Sequence, residues 1–194
     1  MDESPAIAPP SGPAIVDTLA SRWRRDLLFF AIAVSVIALD QFTKWLVRSN
    51  LGLYEEWDVT FGPVRIIHVV NSGAAFGILQ GQTPFLIVMS LFGLGAILLY
   101  YLYPPMDHGL VRVALGMQLG GATGNLIDRV RLGEVTDFID VGEFPTFNIA
   151  DSSITISIVA ILGFFLLQEM EAARERPAPG TAGDDGERQP TADE

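Results

Sequence analysis

Residues Leu27–Val47 read LLFFAIAVSVIALDQFTKWLV, an apolar run that is long enough to cross a bilayer but carries Asp40 and Lys44 toward its C-terminal end. A hydrocarbon core of about 30 Å needs roughly 20 residues of helix. A charged side chain at the centre of such a helix costs on the order of 2.5–3.5 kcal/mol. Because Asp40 and Lys44 are four residues apart, they share one helix face and can pair there. The stretch therefore predicts a membrane helix with an ion pair near one end.

Three further apolar runs follow the first one. They span Pro84–Tyr103, Leu110–Ile127 and Asp151–Leu167. Hydrophobic residues make up 49% of the 194 positions and charged residues only 18%, which is unusual for a soluble domain with a net charge of −11. We therefore predict a mainly α-helical, polytopic membrane protein with four transmembrane helices.

The polar segments outside these runs divide the chain into three predicted regions and indicate its orientation in the membrane. The regions are an N-terminal cytoplasmic tail (1–24), a four-helix membrane domain (25–170) and an acidic C-terminal tail (171–194). Both tails are rich in Pro, Gly, Ala and acidic residues, a composition typical of disordered segments. Three arginines within 22–25 precede the first run, so the positive-inside rule favours cytoplasmic termini.

Two long loops, 48–83 and 128–146, are then expected on the outer side of the membrane. Within the first loop, Val59–Val70 is rich in β-branched and aromatic residues and is interrupted at Gly62-Pro63. This pattern predicts a short β-hairpin.

The third run has one face of glycines and a neighbouring face of polar residues. Gly116, Gly120 and Gly124 recur every fourth residue, which favours close packing against another helix. The neighbouring face continues through Asn125 to Arg129, with Asp128 beside it. These side chains either orient carboxylates or a substrate backbone, or they simply cap the end of the helix.

Two further acids, Asp137 and Asp151, each have an ordinary explanation when taken alone. Asp137 is then a solvated loop acid, and Asp151 is one of several candidates for the N-cap of the fourth helix. Under one topology, however, the polar residues all fall on the outer side: Asp40, Lys44, Asn71, Asn125, Arg129, Asp137, Asn148 and Asp151. Two carboxyl groups in a partly dry site cannot both ionise easily, so one keeps a proton while the other acts as a base. That arrangement activates water against a peptide carbonyl.

Several other chemistries are excluded by composition. The absence of cysteine removes disulfides, thiolate catalysis and Cys-ligated metals. The two histidines, His68 and His108, are predicted on opposite membrane faces, which excludes a two-histidine metal site. The negative net charge makes nucleic acid a poor partner. The remaining alternatives to a peptidase are a small proton-coupled transporter or channel and a non-enzymatic assembly factor.

Five motifs in order resemble the bacterial lipoprotein signal peptidase (signal peptidase II) family of membrane aspartic peptidases. They are Asp40-Gln-Phe-Thr-Lys44, Asn71-Ser-Gly-Ala-Ala-Phe-Gly77, Gly120-Gly-Ala-Thr-Gly-Asn-Leu-Ile-Asp-Arg129, Val135-Thr-Asp-Phe138 and Phe147-Asn-Ile-Ala-Asp-Ser152. The resemblance covers about 25–168, leaving only the two tails outside.

The resemblance implies that Asp137 and Asp151 are the catalytic pair. It also implies a set of residues that line or support the site (Asn71, Gly73, Asn125, Asp128, Arg129 and Asn148) and two that brace it (Asp40 and Lys44). A β-cradle between helices 1 and 2, including Val59–Val70, is expected over the active site near the outer face of the bacterial inner membrane. The implied substrates are prolipoproteins with a diacylglyceryl-modified cysteine, cut just before that cysteine, and the implied inhibitor is globomycin. No cofactor or metal is implied, membrane lipids surround the protein, and a monomer is expected.

Overall fold

The structure is a computed structural model that describes residues 14–57, 62–73, 78–106 and 108–175, with side chains described between 23 and 174. Its elements in chain order are α1 (Ala14–Asn50), β1 (Arg65–Asn71), α2 (Thr83–Leu102), α3 (Gly109–Leu132), β2 (Val135–Val141), β3 (Phe144–Phe147) and α4 (Ile149–Glu175). The chain divides into two compact units, Met1–Ile161 and Leu162–Glu194. In its described part, the second unit is a helical segment with exposed apolar side chains, among them Leu162, Leu166 and Leu167.

A helix is present at each of the four predicted apolar runs. Within the described part of the chain, three segments are long and apolar enough to cross a membrane: Trp23–Asn50, Thr83–Leu102 and Ile149–Arg174. Exposed large apolar side chains occur along these helices, for example Phe42 and Phe92. Extensive exposed apolar surface in a protein of this composition is typical of lipid contact. The family resemblance and the exposed apolar surfaces of these helices both indicate a membrane protein.

Helix α3 is less apolar than α2 and α4, and many of its residues are buried against protein. Its glycines allow α1 to approach at backbone distance: a β-carbon on Gly120 would lie 2.7 Å from the backbone oxygen of Ala33. On the next face, a β-carbon on Gly121 would lie 2.6 Å from the backbone oxygen of Ala150 at the start of α4. The predicted packing role of the glycine stripe is confirmed.

The helices extend beyond the predicted membrane domain at both ends. Helix α1 already begins at Ala14 and α4 continues to Glu175, so parts of both expected tails are helical. The rest of those tails, residues 1–13 and 176–194, lies outside the described residues.

A three-stranded antiparallel sheet has the strand order β1-β2-β3, with β2 in the centre. The sequence assigned the cradle to the segment between helices 1 and 2, but among the described strands this segment contributes β1, while β2 and β3 come from the loop between α3 and α4, so the sheet combines both loops. Residues 58–61 of the predicted hairpin region lie outside the described residues. Trp57 N donates to Ile66 O at 3.0 Å beside an antiparallel bridge between Glu56 and Ile67, on the free side of β1.

Strand β2 has no alternating apolar pattern, and this explains why the sequence did not predict it. Most of its residues are buried on both faces, including Thr136, Asp137 and Asp140. Acidic residues at such positions are typical of loops when only the sequence is considered.

Candidate active site

The start of α4 is closed by two reciprocal hydrogen bonds between Asn148 and Asp151. Asp151 N donates to Asn148 Oδ1 at 3.0 Å, and Asn148 N donates to Asp151 Oδ2 at 3.3 Å. This is a capping box in which Asn148 is the N-cap and Asp151 the third helical residue. The N-cap is therefore Asn148 and not Asp151, which closes the box from inside the first turn, and this fixes one carboxyl group at the helix end.

Asp137 is held on the central strand of the sheet and is almost fully buried. The residue before it, Thr136, is fastened to the helices: its N–H donates to Asp128 Oδ2 at 3.2 Å, and its hydroxyl accepts from Arg48 at 2.9 Å. The alternative of a solvated loop acid is wrong for Asp137, because β2 lies between β1 and β3 rather than in water.

Side-chain amides connect the two carboxyl groups. Asn148 Nδ2 donates to Asp137 Oδ1 at 2.7 Å, so the residue that caps α4 also binds the carboxyl group on β2. Asn71 donates to Asp137 Oδ2 at 3.0 Å, and Asn125 donates to Asp151 Oδ1 at 2.7 Å. Every carboxyl oxygen of the pair thus accepts a hydrogen bond from an amide N–H.

Asp137 has the electrostatic property expected of a shared-proton pair. Burial, followed by the negative charge of Asp151, raises the pKa of Asp137 to about 7, against smaller opposing effects from Asn71, Asn148 and Lys44. Desolvation and a like charge both favour the neutral form of a carboxyl group. Asp137 therefore titrates near neutral pH.

Both carboxyl groups line one cavity of about 960 Å³. Part of its wall is apolar, formed by Phe144 and Phe147 of β3 and by Ile154 and Ile156 of α4. Its polar wall includes Asn71, Asn125, Arg129, Asp137, Asp151 and Ser152. A cavity of this size with a few convergent polar groups is typical of a ligand or substrate site.

A buried ion cluster lies beside the pair. Lys44 Nζ is 2.9 Å from Asp40 Oδ2 and 3.2 Å from Asp128 Oδ2, and all three side chains are almost completely inaccessible. The predicted pairing of Asp40 with Lys44 is confirmed. Asp40 also accepts from Ala150 N at 3.0 Å, so a residue of α1 satisfies a free N–H at the start of α4.

The segment after β1 is held from α3. Arg129 donates to the backbone oxygen of Gly73 at 3.1 Å, and Gly73 N donates to Asn71 Oδ1 at 2.9 Å. Because Asn71 Oδ1 accepts from Gly73, its amide NH2 group is left to face Asp137. Residues 74–77 of this motif lie outside the described residues.

The ten residues singled out by sequence thus form one connected set, whereas three others were missed. Gln41 bridges Asp40 and Asp128, donating to them at 3.2 and 3.1 Å. Arg48 and Thr136 link α1 to β2. The only sequence signal for Arg48 is its spacing, since it continues the Asp40–Lys44 face by four residues. Among the described residues, no group of three His, Asp or Glu side chains forms a metal site.

Comparisons with known proteins agree on one kind of protein. The family model described as signal peptidase (SPase) II matches residues 32–167. Lipoprotein signal peptidases of Dehalococcoides mccartyi and Shouchella clausii are 42% and 45% identical to this chain over 147 and 139 residues. These alignments cover 74% and 71% of this chain and 91% and 89% of those proteins.

Solved structures give the same fold. One structure of a bacterial membrane enzyme superposes with a TM-score of 0.71 at 35% identity, covering 77% of this chain and 93% of that one. A second, also a bacterial membrane enzyme, gives a TM-score of 0.66 at 36% identity and covers 71% and 92%.

Proposed function

This chain belongs to the signal peptidase II family, and on that basis we propose that it removes signal peptides from prolipoproteins with Asp137 and Asp151 as its catalytic pair. The substrates are prolipoproteins that carry a diacylglyceryl group on a cysteine. The bond that breaks is the peptide bond just before this cysteine.

The observation that carries the catalytic assignment is the double role of Asn148. Its amide binds Asp137 Oδ1 at 2.7 Å while its own oxygen caps the N–H of Asp151 at 3.0 Å. One side chain thereby links a strand carboxyl group to a helix-end carboxyl group at the wall of one cavity. Such a linkage is unnecessary for a helix cap alone, and it positions two carboxyl groups at one cavity wall, as acid–base catalysis by a pair of carboxyl groups needs.

In the proposed reaction, a water molecule attacks the carbonyl carbon of the scissile peptide bond. One carboxylate takes a proton from this water as the new C–O bond forms, while the other carboxyl group donates its proton to the carbonyl oxygen. The first carboxyl group then gives the proton that it took from water to the amide nitrogen as the C–N bond breaks. At the same time one hydroxyl group of the tetrahedral intermediate returns a proton to the second carboxylate, and the C=O bond reforms. The products are a signal peptide with a new carboxyl group and a lipoprotein with a free amino group on its cysteine.

The apolar wall of the cavity suits a lipid-modified substrate. Phe144, Ile154 and Ile156 line the same cavity as the two carboxyl groups. The acyl chains of the substrate can therefore remain in an apolar environment while the peptide meets the polar wall. Because this cavity is the proposed substrate site, we also assign to it the inhibitor globomycin that the family resemblance implies.

We place this cavity near the outer face of the inner membrane, with four crossings and both termini in the cytoplasm. Helix α3 provides the fourth crossing, because 24 residues at about 1.5 Å per residue exceed the hydrocarbon thickness. Its polar residues are tolerated because the intramembrane ones, such as Asn125 and Asp128, are buried against protein. All residues of the proposed pair and its supports lie in one chain, so a monomer is sufficient for the proposed reaction.

The test is cleavage of a diacylglyceryl-modified prolipoprotein by purified Asp137→Asn and Asp151→Asn variants in detergent. Each substitution preserves shape but removes acid–base function, so we expect the rate to fall by about 10²–10⁴-fold. Asp140→Asn is the matched control. Asp140 lies on the same strand but pairs with Arg65 and does not line the cavity.

The control variant is expected to cleave at close to the wild-type rate. Undiminished cleavage by either variant of the proposed pair, in protein of normal thermal stability, would show that the assigned carboxyl group is not catalytic.

A further inference from the structure

Lys44 is buried and uses all of its hydrogen-bonding capacity. Its ammonium group has three protons, and three acceptors surround it: Asp40 Oδ2 at 2.9 Å, Asp128 Oδ2 at 3.2 Å and Asn125 Oδ1 at 2.8 Å. Two of these contacts neutralise its charge. The third reaches the amide that binds Asp151.

The contact with Lys44 determines which way the amide of Asn125 faces. An ammonium group donates but cannot accept, so only the oxygen of Asn125 can face it. Asn148 Nδ2 donates to the same oxygen at 3.2 Å. The NH2 group of Asn125 is therefore directed at Asp151 Oδ1, 2.7 Å away. A flipped amide would set its NH2 group against two donors and its oxygen against a carboxylate.

We propose that Lys44 is a positioning residue for catalysis, which fixes the amide of Asn125 as a donor to Asp151 in addition to neutralising the buried carboxylates. This inference rests on the proposed function, because it presupposes that Asp151 takes part in the reaction. Lys44 does not line the cavity, so its hydrogen-bonded link to Asp151 runs through Asn125.

The physical consequence concerns the orientation of one carboxyl group. With Asn125 fixed, Asp151 Oδ1 is occupied by an amide donor on its protein side, and the cavity side remains available for water. Without Lys44, the oxygen of Asn125 keeps only the longer hydrogen bond from Asn148 at 3.2 Å, so the amide is held less firmly as a donor and Asp151 departs more often from its productive orientation. Loss of orientation lowers kcat, whereas substrate binding in the cavity is unaffected.

The test variant is Lys44→Met/Asp40→Asn, which removes one positive and one negative charge together. Asp128 then keeps Arg48 at 3.8 Å and Gln41 at 3.1 Å as partners. The reference is Asp40→Asn alone, in which Lys44 still binds Asn125 and Asp128. Relative to this reference, we expect kcat to fall by about tenfold or more while KM stays within about twofold.

A double-mutant cycle with Asn125→Ala identifies the route by which Lys44 acts. In the Asp40→Asn reference, Asn125→Ala is expected to lower kcat by about tenfold or more; in the Lys44→Met/Asp40→Asn background, it should change kcat by less than about twofold. A merely structural role would instead lower thermal stability and give independent, multiplying losses.

Three outcomes would overturn the inference: multiplying losses in the cycle, a rise in KM without a fall in kcat, or a folded Lys44→Met/Asp40→Asn variant as fast as its reference. If that variant does not fold, Lys44→Gln/Asp40→Asn replaces it under the same criteria, because the shorter glutamine cannot reach all three partners. The proposed function is judged separately. Full activity of Asp151→Asn would contradict both the proposed catalytic pair and the positioning role of Lys44. Loss of activity in the aspartate variants, together with an unaffected Lys44 variant, would contradict only the role of Lys44.

Discussion

The interface between α1 and α3 is built in two different ways along its length. In one half, glycines bring the helices to backbone contact: β-carbons on Gly116 and Gly120 would lie 2.9 and 2.7 Å from the backbone oxygens of Phe29 and Ala33. In the other half, Lys44 of α1 binds Asp128 and Asn125 of α3. The first half gains its stability from dispersion contacts, and the second from a fully partnered set of charges.

The two halves meet at Gly124. A β-carbon there would lie 2.5 Å from Asp40 Oδ2, so the last glycine of the stripe makes room for a carboxylate instead of a backbone. Small residues thus serve both kinds of contact. Close packing therefore tolerates the loss of some contacts. A buried charge cluster needs every member, because an unpaired buried charge costs several kcal/mol.

The strongest test of this difference is Asp40→Ala. The substitution leaves Lys44 with one fewer carboxylate and leaves the N–H of Ala150 without its acceptor. We expect the free energy of unfolding to fall by about 3–5 kcal/mol, as measured by thermal and denaturant unfolding in detergent. Asp40→Asn, which can still accept from Ala150, should lose less. Unaltered stability in Asp40→Ala would show that the ion cluster does not brace the fold.

The glycine-packed half is tested by Gly120→Ala. A methyl group placed 2.7 Å from a backbone oxygen must push the helices apart, with an expected loss of about 1–3 kcal/mol. Gly93→Ala in α2 is the matched control, because a β-carbon there meets nothing within 4 Å. The control should be neutral or gain up to about 1 kcal/mol from helix propensity. Equal unfolding midpoints for both variants would contradict close packing as the source of stability.

The proposed catalytic pair, which lies beside the polar half of this interface, should respond to pH in the neutral range. Since the pKa of Asp137 is raised to about 7, raising the pH through this value removes its proton and leaves two like charges in the pair. We therefore expect kcat/KM for prolipoprotein cleavage to fall as the pH rises above about 7.

The Asn71→Ala variant sharpens this expectation. The hydrogen bond from Asn71 lowers the pKa of Asp137, so its removal should move the alkaline limb of the profile to higher pH. Asn50→Ala, which removes an exposed bond to Leu46 O, is the control and should leave the limb unchanged. A limb that stays in place or moves to lower pH in Asn71→Ala would refute the assignment of this limb to Asp137.

The smallest effect is expected where an ion pair lies in water. Arg65 and Glu56 approach to 3.4 Å, but about half of each side chain is exposed. We expect Glu56→Gln to change the free energy of unfolding by less than about 1 kcal/mol. Denaturant unfolding of Glu56→Gln and Asp40→Ala under the same conditions compares the two losses of unfolding free energy. A loss as large as that of Asp40→Ala would mean that burial is not what separates the two kinds of pair.

Local patterns predicted most of the helical fold and part of the site. Apolar runs located all four helices, and the spacing of Asp40 with Lys44 predicted their ion pair. By contrast, β2 was missed because Asp137 and Asp140 interrupt its apolar pattern. Asp137 was favoured over an ordinary loop acid by the gathering of polar residues on one side of the predicted topology and by the family resemblance, not by a local pattern. Its burial depends on strands from a different loop, which no local pattern encodes.

What the sequence alone determined is the set of membrane-compatible helices, the glycine face and the family, because these depend on residue type and spacing along one chain. Only the tertiary structure decided that Asn148 links Asp137 to Asp151, that Lys44 reaches Asn125, and that β2 is fastened to α1 and α3 through Thr136. The reason is directional: a hydrogen bond depends on which atom of a side chain faces which neighbour. That orientation is fixed by partners distant in sequence.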